Sequence, residues 1–254
     1  MKLLVLAGTE DGRDLADILK QRGHEILVST LTAYGAELVQ EHGLQARSGA
    51  MDAESLTDLL KANSFAALVD ATHPYAVQVK EMAKKVCTDL GLPYLRWERS
   101  ALEVDDHPLI HWAEDIPAAV QIASKLGKNI LLTTGSNGLP DWVSHPSLKD
   151  KFLYVRVLPT SQVLARCELL GFKPNQIVAA QGPFSQEWDE AMFKQLKIDV
   201  VVAKESGKVG GTHEKIQACL NLNLPLVLLK RPVPEMASDS QTLTQFIKHM
   251  EELI

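Results

Sequence analysis

The sequence predicts an α/β protein of two lobes, each built on a mainly parallel sheet. Three observations carry this. Short apolar runs alternate with amphipathic helical stretches from one end of the chain to the other. The connections between them are short, which implies right-handed βαβ crossovers. The alternation breaks once, across 99–111, where Glu103, Asp105 and Asp106 precede His107-Pro108, and then restarts. That break places an interdomain crossing near residue 100 and divides the chain into lobes 1–100 and 101–254.

The elements follow in order. Residues 3–7 read as a strand and 12–21 as a helix with Leu15, Ile18 and Leu19 on one face. Further strands are expected at 25–30, 45–48, 66–72 and 94–97, and helices at 33–41, 52–60 (capped by Asp52) and 76–90. In the second lobe helices at 116–126, 161–170, 188–196, 212–222 and 243–253 interleave with strands at 129–134, 152–158, 176–180, 199–203 and 224–229. Two such lobes usually hold their ligand in the cleft between them, so that is where one is expected.

Composition narrows the class. The chain has 254 residues, 46% hydrophobic and 23% charged, enough to bury a core without disulfide staples. A net charge of −6 argues against a nucleic-acid partner, so any anionic ligand must meet a local cluster of Arg and Lys. Cys87, Cys167 and Cys219 lie far apart in helical apolar patterns with no CxxC spacing. They are expected as buried small hydrophobes in a reducing compartment, with no metal. The opening run Met1 to Ala7 is too short for a membrane span and no cleavage site follows it. The expectation is a cytoplasmic monomer without a membrane partner.

The most informative stretch is Asp70-Ala71-Thr72-His73-Pro74-Tyr75-Ala76, at a strand-to-helix junction. Ligands of open α/β sheets bind at the carboxyl ends of the strands, and here an acid, a hydroxyl, an imidazole and a phenol gather at one such end. A helix cap and a first-turn proline would account for Pro74 and one polar residue. His73 and Tyr75 are left over, so Asp70, His73 and Tyr75 are the candidate catalytic groups.

The other strand ends are polar too. Gly8-Thr9-Glu10-Asp11-Gly12-Arg13 joins the first strand to a helix N-terminus, a natural anion site. It is neither a GxGxxG fingerprint nor a Walker A loop, and a plain tight turn is equally consistent. Ser29 and Thr32 stand where an NAD-selecting acid is usual, which leans toward NADPH over NADH. Arg96-Trp97-Glu98-Arg99 ends the fifth strand. In the second lobe Thr134-Gly135-Ser136, Arg156, Gln181-Gly182-Pro183-Phe184, Lys204 to Thr212 with Ser206, Gly210 and Gly211, then Lys215, and Arg231 complete the set. Each alone reads as a turn or surface ion pair; five polar loops at successive strand ends form a pattern.

Taken together these segments resemble the precorrin-6A reductase family, including its cobalt-precorrin-6A branch. The resemblance rests on the Gly8–Arg13 loop, the Asp70–Ala76 stretch, Arg96 to Arg99, Thr134-Gly135-Ser136, Arg156-Val157-Leu158-Pro159, Gln181-Gly182-Pro183-Phe184, Lys204 to Gly211 and Arg231-Pro232, spread over nearly the whole chain. It implies a two-lobed Rossmann-like enzyme that uses NADPH or NADH to reduce one ring double bond of a polycarboxylate corrin precursor in cobalamin biosynthesis. Gly8, Thr9, Gly12, Arg13, Ser29 and Thr32 would then bind the cofactor, although Thr134, Gly135, Ser136, Gly210 and Gly211 are alternatives. Arg96, Arg99, Arg156, Gln181, Lys204, Ser206, Lys215 and Arg231 would meet the substrate. Two rivals remain. A non-catalytic binding protein for a small anion gives no reason for the His-Pro-Tyr cluster. A short-chain reductase needs Tyr-x-x-x-Lys, and here Lys80 stands one position too far from Tyr75.

Overall fold

A computed structural model describes residues 1–98, 102, 104–207, 211–232 and 242–254. Arg99 and Gly210, both expected at sites, lie outside the described residues. The chain divides into two compact units, Met1–Ser100 with Pro232–Ile254, and Ala101–Arg231.

Unit 1 runs β1 (Lys2–Ala7), α1 (Glu10–Gln21), β2 (Glu25–Thr30), α2 (Ala33–Glu41), β3 (Gln45–Ser48), α3 (Ala53–Asn63), β4 (Ala67–Ala71), α4 (Val77–Leu90) and β5 (Tyr94–Arg96). Its sheet is wholly parallel in the order β3-β2-β1-β4-β5, the doubly wound arrangement. Period-two alternation along β1 explains why both faces are covered. Leu3, Val5 and Ala7 pack on Leu15 and Leu19 of α1, and Leu4 and Leu6 pack on Leu56 and Leu60 of α3 and Ala83 and Val86 of α4. Asp52 caps α3 through the Ser55 amide at 2.9 Å, with the Ser55 hydroxyl returning the bond to the Asp52 N–H.

Unit 2 runs β6 (Ile110–Ala113), α5 (Ile116–Leu126), β7 (Asn129–Leu132), α6 (Leu139–Val143), β8 (Phe152–Val157), α7 (Ser161–Leu169), β9 (Ile177–Ala179), α8 (Gln186–Gln195), β10 (Val200–Lys204), α9 (Thr212–Asn221) and β11 (Leu226–Leu229). The sheet is again parallel, in the order β6-β11-β10-β7-β8-β9. Strand β6 and helix α6 have no counterpart in the sequence expectation. β6 is a four-residue edge strand next to β11, and it begins in the stretch read as an irregular crossing. The three cysteines are free and buried.

The last helix, α10 (Leu243–Leu253), belongs to unit 1, which corrects the expectation that 101–254 forms one lobe. Its Phe246, Ile247 and Met250 share a face and join Leu15, Leu19 and Ile26 in the core of that unit. Burial of each such side chain is worth about 1.5–3 kcal/mol, enough to fix the helix there. Among the described residues no helix is long and apolar enough to cross a membrane.

Candidate functional site

In unit 1 the chain leaves β1 toward β2 and leaves β4 toward β5, so the topological switch point lies between the carboxyl ends of β1 and β4. Gly8-Thr9 and Thr72 to Tyr75 are the segments that end there. Thr9 occupies the N-cap of α1 in extended conformation, yet its hydroxyl makes no cap bond. Thr9 Oγ1 and Arg13 Nε are both buried without a hydrogen-bond partner among the described residues. Orphaned buried polar atoms are rare and ask for a ligand or water. Glu10 and Asp11 occupy the first turn of α1 and partly offset its positive end. Burial, then the Glu10 charge, pushes the Asp14 carboxyl above its usual range.

Gly12 plays a different part from the one expected. A Cβ there would lie 3.0 Å from Ala7 Cβ and 3.1 Å from the Ala71 carbonyl oxygen. The glycine lets α1 sit against β1 and β4; it is a packing residue. Thr32 is also engaged locally, its hydroxyl accepting the Gly35 N–H at 3.0 Å as the cap of α2. Ser29, by contrast, stands at a carboxyl strand end and accepts a bond from Arg47 Nη1 at 3.0 Å. Register explains the meeting, because Ser29 of β2 pairs with Arg47 of β3.

Asp70 is fully buried and both its oxygens are occupied. Oδ1 accepts from the Thr72 N–H at 2.9 Å, the Thr72 hydroxyl at 2.7 Å and Arg96 Nη1 at 2.9 Å, and Oδ2 accepts from the Tyr94 hydroxyl at 2.6 Å. Arg96 also donates to the Thr72 carbonyl oxygen at 2.8 Å and to Glu98 Oε2 at 3.2 Å. Burial, then the Asp70 charge, raises the Tyr94 phenol well above its ordinary value, so it stays a donor. This corrects two expectations. Asp70 is the anchor of the β4–α4 turn, with no oxygen open for proton delivery, and Arg96 is its counter-ion, with no guanidinium edge left for a substrate carboxylate.

What the anchored turn presents is His73 and Tyr75, half-buried, with ring centroids 5.6 Å apart. The Tyr75 N–H donates to His73 Nδ1 at 3.3 Å, so the neutral imidazole carries its proton on Nε2. Lys80 Nζ reaches the Pro74 carbonyl oxygen at 2.5 Å and steadies the same turn.

Unit 2 has its own switch point, between β7 and β10. Thr134 is buried after β7 with Oγ1 unpartnered among the described residues, followed by Gly135 at φ +80° and the half-buried Ser136. Beyond β10, Ser206 is buried and bonded to Thr212, hydroxyl to hydroxyl at 2.9 Å. Burial pulls Lys204 below its ordinary pKa. Gly211, at φ +67°, heads α9, and Gln181 is exposed after β9.

The remaining basic candidates face inward. Arg231 pairs with buried Glu205, which also accepts the Leu102 and Gly207 amides, and Arg156 pairs with buried Asp189. They serve as counter-ions to carboxylates that cannot stay charged unpaired. Lys215 is 5% exposed. Burial, then the Arg156 charge, lowers its pKa to about 8.

The family model of Precorrin-6x reductase CbiJ/CobK matches residues 2–251. The chain belongs to this family. The family member is 36% identical over 238 residues to the cobalt-precorrin-6A reductase of Salmonella typhimurium, covering 93% of this chain and 90% of that one. It is 31% identical over 234 residues to the precorrin-6A reductase of Mycobacterium tuberculosis, covering 91% and 89%. A solved structure of CobK precorrin-6A reductase superposes with a TM-score of 0.78 at 26% identity, covering 100% of this chain and 97% of that one. The reductase-family reading from the sequence motifs is thereby shown, and the fold with it. Arg47, which the sequence analysis did not single out, is brought to the carboxyl end of β2 by its bond to Ser29; its signal is an arginine in the short strand that doubly wound topology places beside β2.

Proposed function

We propose that this chain reduces one ring carbon–carbon double bond of cobalt-precorrin-6A or precorrin-6A in corrin-ring assembly, using NADPH in preference to NADH. The cobalt form is the first substrate to try, because the Salmonella relative is the more similar of the two quoted. We place the nucleotide at the β1/β4 edge of unit 1. The observation that carries this placement is the uncapped N-terminus of α1, with Thr9 Oγ1 and Arg13 Nε buried and unpartnered beside it. These are the donors a pyrophosphate takes. Arg47, held on Ser29, supplies the cation a 2′-phosphate needs.

The bound nicotinamide supplies the hydride. The chain supplies position and a proton. Asp70, Arg96 and Tyr94 lock the β4–α4 turn, so His73 and Tyr75 are preorganised. The Tyr75 hydroxyl, or His73 as an imidazolium through Nε2–H, then protonates the carbon next to the one receiving hydride, and solvent returns the proton to the donor.

The test is oxidation of NADPH and of NADH by the purified protein, each with and without cobalt-precorrin-6A. Substrate-dependent oxidation, faster at low NADPH than at low NADH, is expected. A protein that binds neither nucleotide overturns the reading.

A further inference from the structure

The turn that carries His73 and Tyr75 has its middle peptide held at both ends. The His73 carbonyl oxygen accepts the Ala76 N–H at 2.8 Å, so residues 73–76 form a β-turn with Pro74 at its second position. The Pro74–Tyr75 peptide is the centre of that turn, and the common turn types differ in which way this peptide faces. Here its N–H donates to His73 Nδ1 at 3.3 Å, and its carbonyl oxygen accepts from Lys80 Nζ at 2.5 Å. Lys80 is itself placed by Glu98, 3.9 Å away, whose carboxylate also takes Arg96 at 3.2 Å. An ammonium at this point is costly to the helix. Lys80 is the fourth residue of α4, no acidic residue stands in the first turn, and a cation there opposes the helix dipole. Its position suits the turn and not the helix.

We propose that Lys80 is a positioning residue: through the Pro74–Tyr75 peptide it fixes His73 in the neutral Nε2–H form, which leaves the Tyr75 hydroxyl as the proton donor of the reduction. This rests on the function proposed above. A cation on the carbonyl oxygen polarises the amide and makes the N–H at its other end a stronger donor. His73 Nδ1 must meet that N–H with a lone pair. An imidazolium would put a second hydrogen there, facing the first. His73 therefore keeps its one proton on Nε2, and a neutral imidazole is a far weaker acid than a phenol. The Tyr75 ring lies beside it, with centroids 5.6 Å apart. The phenol O–H bond breaks as the C–H bond forms next to the carbon that receives hydride, and solvent protonates the phenolate afterwards.

Two readouts test this, and the first needs no substrate. Heteronuclear NMR of the histidine ring nitrogens, with the His73 signals identified by their loss in His73→Asn, should show a bare Nδ1 and a protonated Nε2 in the wild type at neutral pH. Lys80→Met should give a mixture of the two tautomers. Lys80→Arg, which can still donate to the Pro74 carbonyl oxygen, should restore the single form. One tautomer in all three proteins, or a charged His73 in the wild type, overturns the proposal. In turnover Lys80→Met should lower kcat about tenfold or more, and Tyr75→Phe about a hundredfold, with KM for the nucleotide and the urea midpoints unchanged. Lys80→Arg should recover most of the loss. Full kcat in Tyr75→Phe overturns the proposal, as does a loss in Lys80→Met that comes with a lowered urea midpoint and is not recovered by arginine. A wild type without turnover would sink the reductase reading and the donor assignment with it, while the tautomer still decides what Lys80 does to His73.

Discussion

Replacing Lys215 by Met should stabilise the protein at neutral pH and abolish a specific pH dependence. The ammonium is carried on α9 at 5% exposure, and among the described residues it makes no ion pair. Burial, then the charge of Arg156, holds its pKa at about 8 instead of 10.5, while Asp189 and Glu214 pull weakly the other way. Below pH 8 native and unfolded chains both carry the proton, and the native state bears the cost of a buried charge. Between 8 and 10.5 the native chain has released the proton and the unfolded chain still binds it. Stability therefore rises with pH across that window, by about 1.4 kcal/mol per pH unit at most, or about 3 kcal/mol in all. Cys219, one turn along α9, is pushed by burial up to about 12 and stays neutral there. The assay is urea unfolding of wild type and Lys215→Met at intervals from pH 7 to 10. Wild type should gain stability above pH 8, and the variant should start about 3 kcal/mol higher and lack that gain. Groups common to both proteins cancel in the difference. Parallel pH profiles would refute the reasoning.

Asp70→Asn takes the buried carboxylate from Arg96, leaving it only Glu98 among the described residues, and should cost about 3 kcal/mol in urea unfolding; a fully stable variant that has lost kcat would return Asp70 to the chemistry. Arg47→Met should raise KM for NADPH about tenfold or more and leave KM for NADH unchanged, and equal effects on both nucleotides would remove Arg47 from the 2′-phosphate. One of His73→Asn and Tyr75→Phe should lower kcat about a hundredfold with nucleotide affinity intact; full turnover in both variants would mean that neither delivers the proton.

Most elements were legible because buried parallel strands read as uninterrupted apolar runs and the helices between them carry an apolar face. Strand β6 was not, since Ile110-His111-Trp112-Ala113 is short and follows His107-Pro108. Helix α6 is five residues long with Pro140 in its first turn, too brief for periodicity to register. The apolar face of α10 announces a partner but cannot say which sheet supplies it. The same limit governed the site. Polar residues at strand ends were visible, and the Thr9 turn and the His73–Tyr75 turn do sit at one switch point. Whether a guanidinium faces solvent or a carboxylate depends on register. Asp70 meets Arg96 because β4 pairs with β5, and Arg156 meets Asp189 across a strand and a helix distant in sequence. Spacing along the chain carries no trace of either meeting.

Because α10 returns to the first unit, that unit draws its core from two stretches of polypeptide with the whole second unit spliced between them. During synthesis the hydrophobic wall formed by Leu15, Leu19 and Ile26 waits uncovered until Phe246, Ile247 and Met250 emerge, by which time the intervening unit has already been made. Cleavage after Arg231 would therefore injure the first unit, far away along the chain, and leave the inserted one whole.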